Sequence, residues 1–267
     1  MNNIILSVII PSYKDPLLHK TIDSLLENSE LGDKLEIVVS LDGYWPTTPI
    51  KDDPRIKIVH LGGNRGMRGA INAGVLVSKG EYLMRVDEHQ IFDKGYDRKI
   101  LETIEDNWIV TPRRYFLDAK KWEIMKELPP VDYMVLRIGR ADNGRKFSGI
   151  EKPGDDSQPI QESMAMQGSC WFMKRTWWDK VIGELQTEGY GPLYQDSHEM
   201  VFKTWKAGGK LMVNKNTWHA HKHRSFSRTH NNGTKENPSN NEACWAYSIK
   251  VWEDYFENEI KPKWGMK

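Results

Sequence analysis

The sequence predicts an α/β domain built around a doubly wound, mainly parallel sheet, on three observations. Short β-branched runs alternate with stretches of helical period. The runs close on Pro, Asp or Gly, and polar residues gather at their carboxyl ends. At 267 residues with a hydrophobic share of 39%, the chain suits one domain with long excursions and a sizeable core.

The first run, "IILSVIIPSY", is nearly unbroken and closed by Pro11, the pattern of a strand buried on both faces. "PLLHKTIDSLLEN" follows with Leu17, Leu18, Ile22, Leu25 and Leu26 at helical spacing. Then come a strand "LEIVVSLDG", a shorter one "IKIVHLG", the helical "GMRGAINAGVLVSKG" and the strand "EYLMRVD". In such sheets ligands lie beyond the carboxyl ends of the strands, where Asp42, residues 62 to 68 and residues 87 to 89 fall. Residues 97 to 107 read as a helix and "WIVTPRRYFLD" as a strand. Residues 120 to 160 are rich in Lys, Asp, Gly and Pro with little periodicity, which predicts an insertion or flap over the site. "MQGSCWFMKRTWWDKVIG" resumes with a strand and a helix, and the stretch from Tyr194 to Arg224 gives a helix, a glycine turn and a strand with a histidine-rich exit.

The segment "EYLMRVDEHQIF" ends an apolar strand on three ionisable groups. With period two, Asp87 and His89 point one way and Glu88 the other. A carboxylate beside an imidazole can grip a divalent metal, and a strand surfacing into solvent would carry the same residues. The formal net charge of +1 argues for no partner class. Locally, however, no Asp or Glu occurs from Met200 to Lys235, whereas Lys203, Lys206, Lys210, Lys215, Lys222, Arg224, Arg228 and Lys235 fall there with four histidines. That segment suits an anionic neighbour. Cys170 and Cys244 are too few and too far apart for a disulfide framework, so a reducing compartment fits. The opening "MNNIILSVIIPSYKD" lacks a basic start and its apolar run is broken by Pro11; no stretch approaches the roughly 18 apolar residues of a membrane span. A soluble, cytoplasmic protein is expected, its oligomeric state open.

Four blocks, "LSVIIPSYKDPLLHKTIDSLLENS", "EIVVSLDG", "NRGMRGAINAGVLVSKGEYLMRVDEH" and "DSHEMVFKTWKAGGKLMVNKNTWHAHKHR", together resemble GT-A glycosyltransferases, broadly those of family two. The Asp-x-His strand end, the acidic helix start, the Trp-x-x-Gly-Gly turn and the later His look more like the polypeptide N-acetylgalactosaminyltransferases. The resemblance implies a GT-A fold, Rossmann-like, with a mixed, mainly parallel sheet flanked by helices. It also implies a metal-dependent transferase moving a sugar from a UDP-sugar to a hydroxyl acceptor. A departing diphosphate builds negative charge that a divalent ion neutralises as a Lewis acid, and carboxylate, phosphate and imidazole ligands suit Mn²⁺ or Mg²⁺.

The resemblance further implies that Asp87, His89 and His221 hold that ion, with His219 as the fallback for His221. It places Asp42 at uracil or ribose, Arg68 near base and diphosphate, Pro11, Ser12 and Tyr13 against the base, and Trp171 under the donor sugar. Asp196 and Glu199 would orient acceptor and sugar hydroxyls. Ser197 stands where inverting family-two enzymes carry an Asp base, which speaks for retention, although Asp196 itself would serve as an inverting base if the register slips by one. The acceptor is expected to be a glycan or small molecule, or a hydroxymethylated base in DNA, which the acid-free basic segment would suit. A sugar-nucleotide or glycan-binding protein without turnover is the alternative. A nucleotidyltransferase is disfavoured because "PSYKD" is no glycine-rich phosphate loop. The expected organisation is a catalytic domain over 1 to 230, comprising a nucleotide-binding half at 1 to 95, the flap at 120 to 160 and an acceptor half at 165 to 230, then a helical extension at 231 to 267.

Overall fold

A computed structural model of the chain describes residues 3–141, 144–223 and 241–266. The chain runs β1 (Leu6–Ser12), α1 (Leu18–Asn28), β2 (Leu35–Asp42), β3 (Ile56–Leu61), α2 (Gly66–Val77), β4 (Tyr82–Val86), β5 (Gln90–Phe92) and α3 (Tyr96–Leu101). It continues through β6 (Trp108–Asp118), β7 (Glu123–Ile124), β8 (Tyr133–Ala141), β9 (Gly144–Lys152), β10 (Ile160–Glu162), β11 (Cys170–Lys174) and the short α4 (Arg175–Trp177). Then come α5 (Asp196–Lys206), β12 (Lys210–His221) and α6 (Asn241–Tyr255), with short helical turns before and after them.

The main sheet has the order β10-β12-β6-β11-β4-β1-β2-β3, with β5 on β12 and β7 on β6. The strands β4, β1, β2 and β3 run parallel, and β11 is wedged antiparallel between β4 and β6. This is the mixed, mostly parallel sheet that the sequence predicts.

Period-two alternation sorts the apolar side chains onto two faces. Ile9 and Val38 join α2 and α5 in one core, while Val8, Ile10, Ile37 and Val39 join α1 and α3 in the other. Every residue of β1 and β2 is buried, as unbroken β-branched runs require. Fully burying each such side chain stabilises the fold by about 1.5–3 kcal/mol.

Several boundaries and one region depart from the sequence expectation. The helix read over 97 to 107 stops at Leu101, and the chain turns through Glu102–Asn107 to start β6. The segment expected to lack regular structure contains a long antiparallel hairpin, β8 with β9, paired from Tyr133↔Lys152 to Ala141↔Gly144. Its inward Phe147 packs edge-on against Phe202 of α5 and against Phe256, and Arg114 of β6 pairs with Glu151 of β9 at 2.8 Å. No helix among the described residues is long and apolar enough to cross a membrane.

Candidate active site

A cavity opens at the carboxyl ends of β1, β2 and β4, bounded by Pro11, Ser12, Tyr13, Asp42, Asn64, Arg85, Asp87, Glu88 and His89, with Met67, Ala70 and Leu193 as its apolar wall. The strand order reverses here, β1 having β2 on one side and β4 on the other, which is where a doubly wound sheet leaves a crevice.

Three groups meet at one end of it. Each of Asp87, His89 and His221 offers one ligand atom, and these atoms all lie within 4.8 Å of one another. His221 Nε2 is 3.1 Å from both Asp87 Oδ2 and His89 Nε2. Strand β4 ends at Val86 rather than running on, yet Asp87 and His89 still share a side. The final residue of β12 brings His221 across through its pairing with β5. Arg85 Nη2 donates to Asp87 Oδ1 at 2.6 Å. Burial alone would push the Asp87 carboxyl up, but the Arg85 guanidinium and the hydrogen bond to His221 hold it well below the usual carboxylate range. Burial pushes His221 down to about 4 against the pull of Asp87, so its ring is neutral at physiological pH, as a metal ligand must be. One carboxylate and two imidazoles, clustered and mostly buried, are a donor set that fits a divalent ion such as Mn²⁺. His219 is outside this cluster: it is buried two residues earlier on β12, and neither ring nitrogen has a partner among the described residues.

At the other end, Ser12 Oγ is hydrogen-bonded to the Tyr44 hydroxyl and donates to Glu88 Oε2, and the Tyr13 N–H donates to Glu88 at 3.1 Å. Glu88 thus fastens the end of β1 to the end of β4. Asp42 lines the cavity, but its oxygens accept the N–H groups of Arg65 at 2.6 Å and Gly66 at 2.8 Å, clamping the start of α2. Gly43 permits the approach: its φ is +75°, and a Cβ there would strike Asn64 N at 2.5 Å.

Arg68, Glu199 and Trp171 are placed elsewhere. Arg68 is fully buried, ion-paired with Glu199, donating to the Tyr194 carbonyl at 2.8 and 3.0 Å and to the Gln186 carbonyl at 2.9 Å, and lying over the Tyr190 ring. Glu199 also takes Lys203 at 2.7 Å and the Gln186 N–H at 3.3 Å. The pair therefore bolts α2 to α5 instead of facing a nucleotide or a sugar. Trp171 is a core residue stacked on Trp178, with centroids 5.8 Å apart. Asp196 differs from these. It is nearly buried at the first position of α5, its Oδ2 has no hydrogen-bond partner among the described residues, and a Cβ on Gly168 would come within 3.4 Å of that oxygen. The Gly168 carbonyl in turn accepts from Arg85 Nη1, so Gly168 neighbours both Asp196 and the arginine that holds Asp87.

Sequence reading passed over Arg85, Asp15 and Tyr44, and it pointed Glu88 away from the site. A lone arginine inside the apolar "YLMRV" was the available signal for Arg85, since a buried charge needs a partner. Arg224, Arg228 and Lys235 lie outside the described residues. Of the other basic residues, Lys203 is engaged with Glu199, Lys215 with Asp155 and Gln161, and Lys210 sits over Trp108.

Residues 7–182 match the family model described as Glycosyl transferase family 2. A dolichyl-phosphate beta-glucosyltransferase of Dictyostelium discoideum is 33% identical over 127 residues, covering 40% of this chain and 38% of that protein. The fold is similar to that of GalNAc-T7 crystallised with UDP, GalNAc and Mn²⁺, with a TM-score of 0.71 at 15% identity, covering 96% of this chain and 50% of that one. The chain thus spans half or less of the length of these two proteins, and at 15% identity the structural likeness speaks for the fold alone.

Proposed function

Because the chain belongs to glycosyl transferase family 2 and is a transferase of GT-A fold, we propose that it moves a sugar from a UDP-sugar to the hydroxyl of a glycan or small molecule, with Asp87, His89 and His221 holding Mn²⁺. The observation that carries this reading is the convergence of those three ligand atoms, with Asp87 and His89 also lining the strand-end cavity. A divalent ion held there supplies charge neutralisation to a departing diphosphate, worth several kcal/mol in the transition state. The chain's own residues do the rest. Arg85 fixes the Asp87 carboxylate, Glu88 sets the β1 end against which a base would lie, and the Asp42 clamp presents Asn64 to the cavity.

For the acceptor, the group with an unengaged oxygen is Asp196, whereas both oxygens of Glu199 are occupied. A general base needs such an oxygen. This supports inversion with Asp196 taking the acceptor proton. The second reading, retention, rests on Ser197 directly following Asp196. DNA as acceptor draws little from Lys203, Lys210 and Lys215, whose partners lie within the fold.

The test offers the protein Mn²⁺, a UDP-sugar panel and glycan acceptors beside DNA with and without hydroxymethylated bases, then follows UDP release and the anomeric configuration of the product. Mn²⁺-dependent UDP release that Asp87→Ala lowers by about a hundredfold or more is expected. Asp196→Asn should lower turnover by about 10²–10⁴-fold with little change in UDP affinity. Pyrophosphate release would point to nucleotidyl transfer, UDP-sugar binding without turnover to a recognition module, and a product that keeps the donor's anomeric configuration to retention.

A further inference from the structure

Asp15 stands outside the ligand set, in the turn between β1 and α1, yet its carboxylate meets His89 at Nδ1. Both side chains are almost fully buried, at 4% and 3% exposure. The two Asp15 oxygens have divided tasks: Oδ1 accepts the Leu17 N–H at 2.8 Å, and Oδ2 lies 3.0 Å from His89 Nδ1. A carboxylate only accepts hydrogen bonds, so the ring proton of a neutral His89 belongs on Nδ1. Nε2 is then an open lone pair facing His221 at 3.1 Å and Asp87 at 3.9 Å. Two imidazole nitrogens 3.1 Å apart need one proton between them, and with Nε2 of His89 bare that proton sits on His221.

We propose that Asp15 is a positioning residue that locks His89 in the Nδ1–H tautomer and so prepares Nε2 to ligate a metal. The inference deepens the metal reading and rests on it for its purpose, but the tautomer itself is a property of the metal-free protein. The lock is stiff because the Leu17 N–H pins the carboxylate at the start of α1, so Asp15 cannot swing aside without loosening that turn.

Asp15→Asn makes the sharpest test because it keeps the shape and removes one acceptor. An amide has a single carbonyl oxygen. If that oxygen stays on Leu17, the NH₂ group faces His89 Nδ1, and the ring proton is driven to Nε2, where a metal would sit. Two measurements follow. Long-range ¹⁵N–¹H correlation spectra of the metal-free wild-type protein should show His89 as Nδ1–H and His221 as Nε2–H. Calorimetry should show that folded Asp15→Asn binds Mn²⁺ about 10–100-fold more weakly. An Nε2–H tautomer for wild-type His89, or unchanged Mn²⁺ affinity in the folded variant, would overturn the proposal. A wild-type protein that binds no Mn²⁺ would remove the metal reading and with it the purpose assigned to Asp15, while the spectra would still decide the tautomer.

Discussion

Arg68 and Glu199, 131 positions apart in the chain, join two helices, and neither is exposed by more than 1%. Removing one member of a buried pair strands the other's charge, so Arg68→Ala should destabilise the protein by about 3–5 kcal/mol in denaturant unfolding, well beyond an ordinary surface change. A loss below about 1 kcal/mol would mean that Lys203 alone satisfies Glu199. At this scale the sequence singled out ionisable residues but not whom they face. Asp87 and His89 were legible because strand period places them together, and His221 because the resembled family places a histidine at that count from Gly208 and Gly209. Arg68, Glu199 and Trp171 were not, since a charge or an indole reads the same in a string whether it meets a substrate or a neighbouring helix. Asp42 falls between: its place on the cavity wall was legible, its engagement by two backbone N–H groups was not.

Strands β1, β2 and β3 are also tied together at the end away from the cavity. Glu36 of β2, 1% exposed, accepts from Ser7 of β1, from Lys57 of β3 and from the Lys79 N–H beyond α2. Burial would push its carboxyl up, but Lys57, Ser7 and the Lys79 N–H outweigh it and hold it below the ordinary 4.5. A depressed folded value means that the unfolded chain takes up the proton first on acidification. The stabilisation is therefore fully present above about pH 4.5 and is lost as pH falls through the folded value. Glu36→Gln should be about 1–3 kcal/mol less stable than wild type at pH 7, and thermal unfolding at pH 7, 5 and 3.5 should show that gap closing. A gap independent of pH would deny the carboxylate its role. Among the elements, the buried strands were legible from β-branched runs, whereas β8 and β9 were not. Their inward Leu136 and Phe147 are diluted by Arg137, Gly139, Arg140, Arg145 and Gly149, so no run of apolar residues announces a strand.

Across the whole molecule, the fold class was legible because βα alternation and strand-end polarity report on the same sheet, while the antiparallel insertion of β11 depends on long-range pairing that no local pattern encodes. The meeting of Asp87 with His221 brings together positions separated by 134 residues, one at the end of β4 and the other at the end of β12. Any ion that bridges them acts as a reversible cross-link closing a loop of half the chain, and an unfolded chain offers no such chelate. Metal binding is therefore thermodynamically linked to completion of the fold. At Mn²⁺ concentrations about 100-fold above the dissociation constant, the native state should gain about 2.7 kcal/mol, seen as a concentration-dependent rise in melting temperature that Asp87→Ala abolishes. Folding that is incomplete at either end of that loop would leave the ion without a binding place, so metal uptake by a refolding chain reports on the joining of its two halves.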